Sequence, residues 1–332
     1  MTKVALVLLL IELVNFCSSD PIEIKPQHTI DFNHFWTYNE IVEYLEYLDT
    51  NFHDYGHIER YGTTIEGREL VAFCIESDHH HRHSKPTIFI EAGVRPREWI
   101  GTMTALYFLH EFVEHHYEFD DILDAVDIVI IPVANPDGYV FTHTTNRLWN
   151  KNRRAVGQNC FGVDINANFH YQFVSTNDPC SENYSGDGYF SERESYQLSN
   201  FLSSPKYLGR VAMYISLQAF GEQILLPYNY FNIGGGNTAA LTAVANRAIA
   251  AIRSRNPARN YQVGIGAALR GTQTGTSTDY VRGRVGIEYV FTYMLPRGSG
   301  ATGYEVTEAE MFAILSETFL GLHEMAAHVA GV

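Results

Sequence analysis

The spacing of apolar positions divides the chain into short strands alternating with longer helices. Ile41, Val42, Leu45 and Leu48 recur at helical intervals behind Asn39, a candidate cap, which predicts a helix over about 39–51. Short apolar runs predict strands at 60–64, 69–76 and 87–91, and a longer one predicts a helix over 98–115. A strand at 127–133 and a buried strand at 211–217 continue the alternation. They are followed by a helix over 238–253, a strand at 286–294 and a closing helix over 307–330. This order implies the α/β class: a single-domain α/β/α sandwich with helices on both faces of a mixed sheet. In such folds the chemistry gathers at the carboxyl ends of strands and in the loops that follow them.

Composition adds a compartment to this picture. With 332 residues, 45% of them hydrophobic, the chain can bury one large core. Met1-Thr2-Lys3, the apolar run 4–14 and the small residues Ser18 and Ser19 read as a signal peptide over 1–19, which leaves 20–332 as a secreted, extracellular domain. No later apolar run is long enough to span a bilayer. The net charge of −15, from 23 basic and 38 acidic residues, argues against nucleic acid or an anionic membrane as partner.

Five stretches carry the candidate chemistry. They are Gly93-Val94-Arg95-Pro96-Arg97-Glu98-Trp99-Ile100, Asn135-Pro136-Asp137-Gly138-Tyr139 with Asn146-Arg147-Leu148-Trp149, Gly162-Val163-Asp164-Ile165-Asn166-Ala167-Asn168-Phe169, Ile215-Ser216-Leu217-Gln218-Ala219-Phe220-Gly221, and Glu317-Thr318-Phe319-Leu320-Gly321. Together, from about residue 35 to 330, they resemble the secreted zinc metallocarboxypeptidases of the pancreatic A and B type. In that family the first turn reads Gly-x-His-x-Arg-Glu-Trp-Ile, and its His and Glu bind zinc. Here Arg95 stands at the His and Glu98 remains.

The resemblance places the third ligand at Gln218, the general base at Met294, and the substrate clamp at Arg97, Asn150, Asn166, Ala167 and Gly271 or its neighbour Arg270. A guanidinium offers only donors, whereas zinc takes deprotonated N, S or O ligands. Met294 has no proton to exchange, and the methyl group of Ala167 cannot hold a carboxylate as a guanidinium does.

From these substitutions the expectation is a chain without zinc or any other cofactor and not an enzyme. It would be a pseudo-carboxypeptidase that binds a peptide, protein or carbohydrate in the old cleft or serves an extracellular structural role. The alternatives are an active metallocarboxypeptidase with atypical metal ligands, removing C-terminal residues from peptides, and a secreted storage or matrix protein. Arg95 is expected to fill the zinc position and pair with Glu98. The short stretch 20–34 leaves no room for the pro-segment the family usually carries.

Cys160 and Cys180 flank the clamp as the family's bridging pair does, while Cys74 reads as a buried thiol. Asn183-Tyr184-Ser185 is a glycosylation sequon. His79, His80, His81 and His83 could bind a metal adventitiously, though a solvated loop is the simpler reading. His110 and His115 nearly spell a zincin helix, but five positions apart they should not share a face, and His323 with His328 fails in the same way. The glycines at 298, 300 and 303 lack the crossover unit of a dinucleotide site and read as a flap beside the cleft.

Overall fold

Thr37, two residues ahead of the expected cap at Asn39, starts the first helix, α1 (Tyr38–Asn51). Glu40 N donates to Thr37 Oγ1 at 3.4 Å and Thr37 N donates to Glu40 Oε2 at 2.6 Å, so two orphan donors are satisfied reciprocally. The computed structural model describes residues 31–76, 85–157 and 159–332. The signal-like run 1–19 and the histidine run 79–83 lie outside the described residues.

Among the described residues, eight strands form one mixed sheet. β1 (Gly56–Thr63) and β2 (Glu69–Ile75) make an antiparallel hairpin at one edge. β3 (Thr87–Ala92), β4 (Asp127–Ile131), β7 (Val211–Ala219) and β10 (Tyr289–Leu295) run parallel as the centre. β8 (Gln223–Leu226) and β9 (Gln262–Ile265) close the far edge, giving the order β1-β2-β4-β3-β7-β10-β8-β9. A separate two-stranded ribbon, β5 (Ala155–Gly157) with β6 (Cys160–Phe161), carries one half of the Cys160–Cys180 disulfide. β3 and β4 are buried along their whole length, which is why they read as unbroken apolar runs and not as alternating ones.

Helices cover both faces: α2 (Trp99–Glu114), α3 (Pro136–Thr144), α4 (Arg193–Leu202), α5 (Thr238–Arg255) and α6 (Glu308–Ala330). α2 lies against β7 because residue 101 is glycine: a Cβ there would stand 2.8 Å from the Leu217 carbonyl oxygen. α6 repeats the device of α1, with Thr307 and Glu310 as its capping box. The stretch 135–149 begins with the largely buried helix α3. Asn135 accepts from Gly138 N at 3.0 Å, and the buried Asp137 carboxylate accepts from Thr64 Oγ1 at 2.7 Å, Glu66 N at 3.0 Å and Arg68 Nη1 at 2.7 Å. Among the described residues no helix is long and apolar enough to cross a membrane.

Candidate active site

Three adjacent parallel strands deliver the site. The chain leaves β3 at Ala92 into a turn that Gly93 makes possible with φ +64°, and this turn carries Arg95 and Glu98. In the sheet register Ala92 faces Leu217 on β7, and Gln218 faces Met294 on β10. Positions 95, 218 and 294, far apart in sequence, therefore line one pocket together with Asn166, Asn229, Arg270, Gln273 and Thr276.

Arg95 occupies the centre. Its Nη1 donates to Gln218 Oε1 at 3.3 Å, and its Nη2 donates to Asp164 Oδ2 at 3.4 Å and Gln273 Oε1 at 3.5 Å. Burial opposes the charge, but the Asp164 and Glu98 carboxylates outweigh it and hold the guanidinium pKa above its ordinary value. The expected hydrogen-bonded pair of Arg95 with Glu98 does not form: Glu98 Oε2 accepts from Ala219 N at 2.9 Å, and Asp164 is the ion-pair partner of Arg95. Burial pushes the Glu98 carboxyl up to about 7, against the lowering influence of Arg95 and the Ala219 amide.

Gln218 is held from both sides. Its Nε2 donates to Ser216 Oγ at 2.9 Å, and its Oε1 accepts from Asn166 Nδ2 at 3.4 Å as well as from Arg95. Asn166 Oδ1 in turn accepts from Ser277 N at 3.1 Å. One layer below, the buried Glu91 accepts from Tyr214 OH at 2.6 Å and Ser277 Oγ at 2.9 Å, and burial raises its pKa. The cavity over Arg95 measures about 10 Å³, near what a single water needs.

The remaining clamp positions separate. Gly271, exposed with φ +78°, sits between Arg270 and Gln273, which both line the Arg95 pocket. Ala167 does not line it. Asn150 belongs to a second, larger cavity of about 370 Å³ beside the disulfide, with Trp149, Lys151, Arg153, Phe161 and Glu182. Arg97 lines neither cavity; it donates to Glu182 Oε2 at 3.4 Å and lies 4.5 Å over the Tyr304 ring. The loop with Gly298, Gly300 and Gly303 is tied down by Gly298 N to Gly303 O at 3.0 Å and Gly300 N to Glu305 O at 3.1 Å.

The comparisons with known proteins agree with this architecture. A family model described as zinc carboxypeptidase matches residues 41–321. Carboxypeptidase B of Astacus astacus is 30% identical over 90% of this chain and 98% of its own length. Human carboxypeptidase B is 31% identical over 81% of this chain, which spans 64% of that relative. The crystal structure of carboxypeptidase A from Helicoverpa armigera superposes with a TM-score of 0.85 at 28% identity, covering 91% of this chain and 75% of that one.

Two expectations are thereby corrected. That the chain is not an enzyme is overturned by a family match and by relatives named carboxypeptidases along nearly its whole length. That it takes no cofactor is overturned by the zinc the family implies, and by groups of side chains that could hold a metal ion: His57, Cys74 and Glu76 in one place, His110, Glu111 and His115 in another. Both expectations rest on a few substituted positions, which say nothing about donors assembled elsewhere by the fold.

At the turn itself the residues present do not fit zinc. A guanidinium stands among the positions 95, 98 and 218, its N–H groups already directed at Gln218 and Asp164, and it offers no lone pair.

Proposed function

We infer that this chain, which belongs to the zinc carboxypeptidase family, acts on the C-terminal ends of peptides, with Arg95 reading the terminal carboxylate. The observation that carries the reading is the half-buried, charged guanidinium at the carboxyl edge of the sheet, beside a space that admits one carboxylate oxygen in place of a water. Its present contacts are long, at 3.3 to 3.5 Å, so a carboxylate oxygen would make a shorter, charge-assisted bond. Arg270 lines the same pocket and gives a second guanidinium for the other oxygen.

The names of the relatives support removal of the terminal residue. The chain's own residues position the peptide end: Arg95 and Arg270 take the carboxylate, and Asn166 and Gln218 fix the guanidinium from below. The Cys160–Cys180 disulfide, the exposed sequon at Asn183 and the signal-like run 1–19 support an extracellular setting.

The test compares one labelled peptide as the free acid and as the C-terminal amide. Binding of the acid should exceed that of the amide by about ten- to a hundredfold, and Arg95→Met, checked for folding by circular dichroism, should abolish the difference. Equal binding of acid and amide would overturn the reading. Mass spectrometry of the same peptides then scores removal of the terminal residue, which should be seen with the free acid and not with the amide.

A further inference from the structure

We propose that His110, Glu111 and His115, with Glu114 beside them, form a binding site for a divalent transition-metal ion of the zinc class at the carboxyl end of α2. Helical spacing sets His110 and His115 on different faces, but the structure brings them together. His115 is the first residue past the helix, with φ −113° and ψ 27°, and its ring returns to within 5.3 Å of the His110 ring, edge to face. One ligand atom each from His110, Glu111 and His115 lies within 4.8 Å of the others, and all three residues are half-buried, so an ion can reach them.

The chemistry of the set suits the ion. Two imidazoles and a carboxylate are a recurrent zinc set, and imidazole also suits copper and nickel. His110 Nδ1 stands 3.2 Å from Glu114 Oε1, and His115 Nδ1 stands 3.1 Å from Glu111 Oε2. A carboxylate on one ring nitrogen orients an imidazole and raises its basicity toward a metal. Tyr44 OH donates to Glu114 at 3.0 Å, which fixes that carboxylate against α1. The last carbonyls of α2 add partial negative charge, and the last turn holds no basic side chain to use it.

This place is separate from the cleft. The site sits at one end of a 16-residue helix and Glu98 at the other, about 24 Å apart at 1.5 Å per residue. The group of His57, Cys74 and Glu76 is the weaker candidate: Cys74 Sγ already donates to Glu59 Oε2 at 3.2 Å, and the Lys206 ammonium stands 2.9 Å from Glu76.

The experiment is calorimetric titration of the full-length protein, stripped of metal, with zinc chloride. Four variants accompany it: His115→Ala, Glu111→Gln, Cys74→Ser, and one with His79, His80, His81 and His83 all replaced by Asn. One equivalent should bind to the wild type. His115→Ala and Glu111→Gln should weaken that equivalent by at least about tenfold while keeping the far-ultraviolet circular dichroism, and the other two variants should retain it. Absence of binding, or an equivalent that survives His115→Ala, or one that disappears with Cys74→Ser or with the loop histidines, would overturn the proposal. The readout is binding alone, so its failure is distinct from failure of the peptide assay.

Discussion

Replacing Glu98 by glutamine removes a charge that the fold disfavours, and the size of the effect follows from where that carboxyl sits. It is 2% exposed, and burial lifts it from 4.5 to about 7 even with Arg95 and the Ala219 amide pulling it down. A carboxyl raised in the folded state keeps its proton where the unfolded chain has released it, so stability falls as pH rises from about 4.5 to about 7. That interval corresponds to about 3 kcal/mol in full, most of which develops between pH 5 and pH 8. The Glu98→Gln variant would keep an amide oxygen for Ala219 N and carry no charge there at either pH. Urea unfolding of both proteins at pH 5 and pH 8 measures the difference directly. The wild type should lose about 2 to 3 kcal/mol more than Glu98→Gln across the interval. Burial also raises Glu194 to about 7 and Asp279 to about 6, and these contributions cancel in the comparison. Identical pH dependence in the two proteins would refute the reasoning.

Opening the disulfide with Cys160→Ser and Cys180→Ser releases a loop of 20 residues and should lower stability by about 3 kcal/mol, read by urea unfolding. Gly101→Ala places a methyl group 2.8 Å from the Leu217 carbonyl oxygen and should destabilise by about 2 kcal/mol, whereas an unchanged midpoint would mean that α2 can move off β7. Thr37→Ala removes half of a capping box and should lower stability by about 1 kcal/mol in the same assay. Secretion from a eukaryotic host should add one glycan at the exposed Asn183, seen as a mass decrease on Asn183→Gln.

The long elements are legible in the sequence because their burial is written into their periodicity. The central strands read as apolar runs, and α5 and α6 begin where the pattern places them or within a residue of it. α3 escapes because Pro136, Asp137, Gly138 and Tyr139 are buried together, which leaves no polar face to mark a helical period. β8 and β9, four residues each, are too short to show an alternation. The cleft is legible as positions and illegible as contacts. Arg95 meets Asp164 across 69 residues of chain and Gln273 across 178, and nothing local links them. Asp164 stands in one of the five candidate stretches, yet its ion pair with Arg95 depends on how the loop returns to the turn. The pairing of His110 with His115 is missed because helical geometry is there extended one residue past the end of the helix.

The register that sets Gln218 opposite Met294, and Ala92 opposite Leu217, is made of backbone hydrogen bonds between parallel strands. It holds whatever side chains those positions carry. The spacing of the cleft is thus inherited from the sheet, so the side chains at 95, 218 and 294 are interchangeable parts on a fixed mounting. A chain with this fold can take up a new occupant at those places by point substitution alone, without relaying a strand.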